Sequence, residues 1–240
     1  MQQSVNQAIK ENSDRIVGLT QDLVRIPSDH HPPKGDERAI QDYVTGFWQE
    51  CGIECDVFDP TDVPEFKSHP GFYDLGRNYE GRPVVVARIR GSGGGRSLIL
   101  SGHVDAVPVG KGEWLHGPYS GDVEGGKLYG RGAFDMKGGV AAMMSAARIL
   151  HEMDVTLKGD LIVETVPDEE FAGANGTVAA RARGYTADAA VVGEPTGLRV
   201  VAAQRGFRLA QVPERDRPIG RGVPDDPLVL FRREDHRTPR

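Results

Sequence analysis

Apolar positions follow helical spacing in some segments of the chain and form short continuous runs in others. Residues 4–26 carry apolar side chains at close to helical spacing, which predicts an N-terminal helix. A second helix is predicted over 35–52, because acidic residues at its start favour a helix N-terminus and a glycine ends it. A strongly apolar helix is predicted over 136–153 and must be buried on most of its circumference. A short helix is predicted over 177–183.

Short apolar runs bounded by turn residues predict the strands, at 53–58, 83–89, 98–100, 160–166, 187–192 and 199–203. Strands that alternate with helices indicate an α/β layered fold. Residues 61–81 are rich in Pro, Gly and charge, which predicts a long surface loop. The glycine run at 91–95 predicts a hairpin turn, since it lacks the Gly-Lys-Ser/Thr ending of a phosphate-binding loop.

The composition narrows the classes of protein that fit. A chain of 240 residues with 38% hydrophobic content can bury one good core or two small ones. A net charge of −6 argues against nucleic acid as a partner, and no run of about 18 apolar residues predicts a membrane span. The N-terminus has no apolar signal-peptide region, and Cys51 and Cys55 have no second pair to complete a zinc cluster. We therefore expect a cytoplasmic protein.

The chemistry begins directly after the apolar strand 98–100, with His103 and Asp105. Ligands of α/β sheets bind beyond the carboxyl ends of the strands, and residues two apart in an extended segment project to the same side. The imidazole and the carboxylate can therefore face one point. A lone His-x-Asp is common, and by itself a polar pair at a strand end is the simpler interpretation.

Further carboxylates follow other predicted strands or the glycine-rich loop after residue 130: Asp135, Glu169, Glu170 and Glu194. Taken singly, each is more simply a solvated turn or a capping residue. Together they would repel one another unless a cation neutralised them, and one histidine with several carboxylates suits Zn²⁺, Co²⁺ or Mn²⁺. One residue of the Glu169-Glu170 pair would bind metal, and the other would accept a proton from the attacking water.

In combination these motifs resemble the dinuclear-zinc amidohydrolases of the M20 metallopeptidase family. The matching segments are Ser101-Gly-His-Val-Asp-Ala-Val-Pro108, Gly130-Arg-Gly-Ala-Phe-Asp-Met-Lys-Gly138, Asp168-Glu-Glu170 and Gly193-Glu-Pro-Thr196. The resemblance covers roughly residues 4–208. It implies a zinc-exopeptidase-like, three-layer α/β catalytic domain with a mixed sheet, interrupted by a smaller lid domain that serves dimerisation.

The resemblance also implies a role for each site residue. His103 and Glu194 would bind one metal, Asp135 would bridge both metals, and Glu170 would bind the other. The implied cofactor is Zn²⁺, two ions per complete site, with Co²⁺ or Mn²⁺ as alternatives.

The two remaining site residues would act without binding metal. Asp105 would orient His103 through a hydrogen bond, and Glu169 would be the general base. The implied reaction is hydrolysis of a linear amide bond, in an N-acyl amino acid or a small peptide, by a metal-activated water.

The C-terminal residues depart from the family pattern. In the family a lid follows the region of residues 205–208, and a second metal-binding histidine lies near the C-terminus. Residues 209–240 are instead rich in Arg and Pro, and their one histidine, His236, matches no family motif and is not assigned to the metal. We therefore predict residues 1–208 to be the N-terminal portion of a catalytic domain whose lid is missing. Residues 209–240 are predicted to be an atypical tail, disordered or produced by a frameshift.

Two functions follow from this reading. The first is a metal-dependent amide hydrolase whose partner is a small-molecule N-acyl amino acid or peptide, and whose complete relatives form homodimers. The alternative is a non-catalytic, truncated remnant that binds one metal or none. A glycine-rich nucleotide binder has no motif to support it. The shared motifs serve many substrates, so they do not identify the acyl group.

Overall fold

A computed structural model describes residues 2–173, 175–201, 209–210 and 230–231. The chain divides into two compact units, Met1–Pro195 and Thr196–Arg240. The helices described are α1 (Gln2–Glu11), α2 (Ser13–Arg25), α3 (Arg38–Glu50), α4 (Gly138–Glu152) and α5 (Gly176–Ala182). The strands described in the first unit are β1 (His30–His31), β2 (Lys34–Gly35), β3 (Cys55–Phe58), β4 (Val84–Ile89), β5 (Leu98–His103), β6 (Val123–Glu124), β7 (Lys127–Leu128), β8 (Leu161–Val166) and β9 (Ala189–Val192).

Five of these strands form one mixed sheet in the order β3-β4-β8-β5-β9. Strand β4 is antiparallel to both of its neighbours, whereas β8, β5 and β9 run parallel to one another. Leu100 of β5 pairs with Val163 of β8 on one side and with Val191 of β9 on the other. The three parallel strands therefore end at the same edge of the sheet.

The hairpin predicted at 91–95 is wrong, because β8 lies between β4 and β5. Every residue of β8 is buried, a pattern that favours a central place in a sheet. The glycine-rich turn instead runs beside the loop before β8, where Ser92 and Gly93 donate backbone hydrogen bonds to Leu157 and Lys158. A turn sequence allows a hairpin, but the pairing depends on burial elsewhere in the chain.

Both faces of the sheet are covered, which confirms the three-layer fold class. Helices α2, α3 and α4 pack on one face in a cluster that includes Val85 and Ala87. Helix α5 and the segment after β3 pack on the other, in a cluster that includes Val84 and Val86. The alternation along β4 follows the two-residue period of a strand. Helix α4 matches the predicted apolar helix, with eight of its fifteen residues buried.

The segment 61–81 is only partly the surface loop that its composition predicts. Phe66 and Tyr79 are buried, and their rings meet edge to face at 5.5 Å. The segment therefore covers part of the second face of the sheet.

The helix predicted over 4–26 is also different: it is divided into α1 and α2 at Asn12, whose side-chain amide donates to the carbonyl oxygen of Ala8 at 2.9 Å.

The second unit is described in part. Strand β10 (Leu209–Ala210) pairs antiparallel with β11 (Leu230–Phe231). Residues 199–201 do not form the strand predicted over 199–203, and the rest of that range lies outside the described residues. The predicted boundary at residue 208 and most of the predicted tail, with His236, also lie outside them and stay predictions. None of the described helices combines the length and apolarity needed to cross a bilayer.

Candidate metal centre

His103 is the last residue of β5, and its imidazole is buried with 1% of the side chain exposed. Its Nδ1 lies 3.0 Å from the main-chain oxygen of Asp105 and 3.5 Å from a carboxylate oxygen of the same residue. A carbonyl oxygen can only accept a hydrogen bond, so Nδ1 carries the proton of the neutral ring. The Nε2 atom is thereby left as the potential metal ligand.

Asp135 meets His103 from the turn Ala133–Lys137, with its Oδ1 3.1 Å from His103 Nε2. Glycine allows this turn to pack closely. Gly130 has φ of 150°, and a Cβ there would lie 2.2 Å from Val24 Cγ1. A Cβ at Gly139 would lie 2.2 Å from the oxygen of Gly193. The two glycines therefore let the Asp135 turn approach both α2 and the residue before Glu194.

Replacing Gly130 by alanine is expected to destabilise the protein for two reasons. Alanine rarely adopts the backbone conformation found at this position, and its Cβ would clash with Val24. A residue held in such a region costs about 1–3 kcal/mol before any clash is counted. Urea unfolding of Gly130→Ala should show this loss. The control is Gly112→Ala, where a Cβ would meet nothing within 4 Å. Equal unfolding midpoints for the two variants would contradict the prediction.

Glu169 and Glu170 follow β8 in a turn that Asp105 holds. One carboxylate oxygen of Asp105 accepts the backbone N–H of Glu169 at 3.0 Å, and the other accepts the N–H of Glu170 at 2.9 Å. Asp105 itself is fully buried. The family resemblance implies that Asp105 orients His103, and its contacts show in addition that the same carboxylate joins the end of β5 to the turn after β8.

Glu194 follows β9 and reaches the same imidazole from a third strand end. Its Oε1 lies 3.6 Å from His103 Nε2, and Glu169 Oε2 lies 3.8 Å from the same nitrogen. The fold therefore brings together every site residue that the sequence singled out, although they are spread along the chain from His103 to Glu194.

The pKa values of the site residues reflect the several carboxylates that lie close together around His103. Burial acts to lower the pKa of His103, but the hydrogen bond and charge of Asp105 outweigh it and raise this pKa to about 10. Burial also acts to raise the pKa of Asp105, yet the hydrogen bond and charge of His103 hold it below its usual value. Burial, with the charge of Asp135 added, raises the pKa of Glu170 and of Glu194 to about 7. A cation would relieve this crowding of carboxylates.

Among the residues that the structure describes, two sets of side chains lie close enough to coordinate a cation jointly: His103, Glu169 and Glu194, and His103, Asp135 and Glu170. Within each set the donor atoms lie within 4.8 Å of one another. An imidazole nitrogen with carboxylate oxygens suits Zn²⁺, Co²⁺ or Mn²⁺, so the residues fit the group that the motifs imply. His103 belongs to both sets, and the first set includes Glu169, for which the family resemblance implies a role as general base.

A buried network of charged residues, which the sequence did not predict, lies next to this site. Arg82 pairs with Glu37 at 2.5 Å and with Asp168 at 2.8 Å, and all three side chains are at most 2% exposed. Arg77 also pairs with Asp168. Asp168 belongs to a recognised motif, but its two arginine partners are distant in sequence, and Arg77 comes from a segment whose composition predicts exposure.

A mixed α/β sheet with one imidazole and several carboxylates at the ends of its parallel strands has the form of a metallopeptidase catalytic domain. Solved structures share this fold. Human carnosine dipeptidase 1 superposes with a TM-score of 0.55 at 25% identity, over 68% of this chain and 34% of that one. The M20 family metallo-carboxypeptidase Sso-CP2 from Sulfolobus solfataricus has a TM-score of 0.56 at 19% identity, over 74% of this chain and 36% of that one, and shows the fold alone.

The chain belongs to Peptidase family M20/M25/M40, whose sequence model matches residues 99–225. The N-formyl-4-amino-5-aminomethyl-2-methylpyrimidine deformylase of Bacillus subtilis (strain 168) is 32% identical over 200 residues, 82% of this chain and 42% of that protein. The succinyl-diaminopimelate desuccinylase of Methylobacterium radiotolerans is 38% identical over 190 residues, 76% of this chain and 43% of that protein. The chain thus spans less than half the length of these relatives, and both are named for hydrolases that act on amides.

Proposed function

We propose that this chain carries the metal centre of an amide hydrolase that removes the acyl group of N-acyl amino acids or cleaves small peptides. His103 and Glu194 would hold one cation, Asp135 would bridge two, and Glu170 would hold the second. Zn²⁺ is the proposed ion, with Co²⁺ or Mn²⁺ as alternatives. The observation that carries the proposal is that Asp135, Glu169 and Glu194 each place an oxygen within 3.8 Å of His103 Nε2.

Each residue has a role that its position supports. When bound, such a pair of ions supplies Lewis acidity, which polarises an amide carbonyl and lowers the pKa of water. Glu169 accepts the proton of the attacking water and passes it to the leaving amine. Its backbone is held by Asp105 while its side chain stays 45% exposed, so the carboxylate can reach a substrate. Asp105 keeps the proton of His103 on Nδ1 and so orients the ring.

Equilibrium dialysis of the full chain against Zn²⁺ or Co²⁺ tests the metal centre. We expect two ions per wild-type chain and a loss of at least about tenfold in affinity for Glu194→Gln, since even partners of metal ligands contribute 10–100-fold. Glu124→Gln is the matched control. Glu124 also faces a histidine, His116, with 3.3 Å between Oε2 and Nε2, but its side chain is 75% exposed. Equal affinities for the two variants would overturn the assignment of Glu194.

A non-catalytic protein that binds one ion or none is the second candidate. The observation that favours it is that His103 belongs to both donor sets among the described residues, so two ions would have to share one imidazole nitrogen as a ligand. Hydrolysis of N-acetylated amino acids and dipeptides by the metal-loaded chain distinguishes the two functions. Two ions with turnover support the hydrolase, and one ion or none without turnover supports the second candidate.

Location and assembly are part of the same proposal. A cytoplasmic protein accords with the free thiols of Cys51 and Cys55, since unpaired cysteines are typical of a reducing compartment. Homodimerisation is implied for complete relatives by the family resemblance. Size-exclusion chromatography with light scattering would show whether this chain forms a dimer.

A further inference from the structure

The turn that carries Glu169 and Glu170 is held by more than Asp105. The residue before them, Asp168, has φ of 69°, in the left-handed region that side chains other than glycine rarely adopt. Its carboxylate is fully buried and accepts hydrogen bonds from Arg77 Nε at 2.9 Å, Arg82 Nη2 at 2.8 Å and Tyr79 Oη at 3.0 Å. The backbone conformation of Asp168 is therefore supported by three partners from one segment of the chain.

Arg77 also contacts the residue on the other side of the two glutamates. Its guanidinium carbon lies 4.4 Å from the centroid of the Phe171 ring, within the range of a cation–π contact. His30 contacts the same ring at 5.9 Å between centroids. The Arg77 side chain is 1% exposed and also donates from Nη2 to the carbonyl oxygen of Lys34 at 3.0 Å. The Arg77 guanidinium thus contacts the turn on both sides of Glu169 and Glu170, at Asp168 and at Phe171.

We propose that Arg77 is a positioning residue that sets the placement of Glu169 and Glu170 by holding Asp168 and Phe171. This inference rests on the proposed function, since it gives Glu169 and Glu170 their roles at the metal centre. The planar guanidinium makes two parallel hydrogen bonds to a carboxylate and stacks on a ring at the same time, which the ammonium group of lysine cannot do.

The alternative is that the network only stabilises the fold. Buried ion pairs contribute little net stability compared with apolar packing, whereas deleting one partner leaves a charge uncompensated. Removing the Arg77 guanidinium altogether would therefore not distinguish a positioning role from a role in fold stability. Arg77→Lys keeps the positive charge, and Asp168 keeps Arg82 as a partner, so this variant changes geometry more than charge.

The chain offers a matched control at Arg183. Arg183 donates to Asp56 from Nε at 2.6 Å and from Nη2 at 2.9 Å, and it lies 4.4 Å from the Phe58 ring. Asp56 also accepts a hydrogen bond from Tyr185 Oη at 2.7 Å, as Asp168 does from a tyrosine. Arg183→Lys therefore alters the same kinds of contact, in a pair that is partly exposed, at a place away from the two glutamates.

Amide hydrogen exchange and Co²⁺ binding are the two measurements. In Arg77→Lys we expect exchange at the amides of residues 169–171 to accelerate at least about tenfold, the effect of losing one charge-assisted hydrogen bond. Co²⁺ affinity should fall about 10–100-fold, and the visible absorption of bound Co²⁺ should change. In Arg183→Lys both quantities should stay within about twofold of wild type.

Two results would overturn the positioning role: wild-type exchange at residues 169–171 in Arg77→Lys, or an equal loss of Co²⁺ affinity in both variants. If Arg77→Lys does not fold, Phe171→Leu removes the ring contact, retains apolar volume and is judged by the same measurements. If the wild-type chain binds no Co²⁺, the proposed function fails, and hydrogen exchange alone still decides the role of Arg77.

Discussion

Replacing Glu169 by glutamine is expected to slow amide hydrolysis by the metal-loaded chain by roughly 10²–10⁴-fold, the contribution typical of a general base. Glutamine retains the shape of the side chain and the backbone hydrogen bond to Asp105, but it cannot accept the proton of the attacking water. The loss should appear in kcat with little change in KM, because proton transfer is needed only for the chemical step. Steady-state rates on an N-acetylated amino acid measure it.

Metal affinity separates the two roles that the geometry allows for Glu169. Its Oε2 lies 3.8 Å from His103 Nε2, so it could serve as a ligand. If Glu169 is the general base, Glu169→Gln should keep Co²⁺ affinity within a few-fold of wild type. Glu170→Gln should lower this affinity by at least about tenfold, because Glu170 is the proposed ligand. A larger loss of affinity in Glu169→Gln than in Glu170→Gln would exchange the roles of the two residues.

Replacing Asp105 by alanine is expected to lower the free energy of unfolding and to weaken metal binding together. The change leaves the part-buried N–H groups of Glu169 and Glu170 without their acceptor, and each such loss costs up to about 1–3 kcal/mol. It also removes the carboxylate beside His103 Nδ1, a contact of the kind that contributes 10–100-fold to metal affinity. Urea unfolding and Co²⁺ dialysis measure the two effects.

Asp188→Ala is the control for this double loss. The carboxylate of Asp188 likewise accepts two hydrogen bonds, from the backbone N–H of Ser97 at 2.7 Å and from its hydroxyl at 2.8 Å, but both groups are exposed. Water can replace these bonds, so only a small change in unfolding is expected and none in metal affinity. If Asp105→Ala behaves like Asp188→Ala, the buried carboxylate does not hold the turn.

The site residues could be predicted because each follows a recognisable strand or glycine-rich loop. His103 ends β5, Glu169 and Glu170 follow β8, and Glu194 follows β9. Their convergence was predicted from the apolar pattern of each strand and the rule that parallel strands present their carboxyl ends at one edge, whereas their separate roles were implied by the family resemblance. That rule depends on the strands being parallel, and the register of β5 with β8 and β9 meets this condition.

Contacts between distant segments could not be predicted in the same way. The glycine run at 91–95 is compatible with a hairpin, yet β8, more than sixty residues later, takes the place beside β4. Arg77 and Asp168 are 91 residues apart, and no periodicity relates them. Arg77 comes from a segment rich in Pro, Gly and charge, where composition predicts exposure, but its side chain is buried against the turn that holds the two glutamates.

By itself the sequence determined the five strands of the main sheet, the helices α3, α4 and α5, the family and the side chains that converge on His103, because hydrophobic period and motif spacing are local properties. Only the tertiary structure decided the strand order, the sharing of the Asp105 carboxylate between His103 and the turn after β8, and the burial of Arg77. These features depend on which segments exclude water from one another. That outcome is set by packing across the whole domain, where a buried polar group persists only if distant partners satisfy its hydrogen bonds.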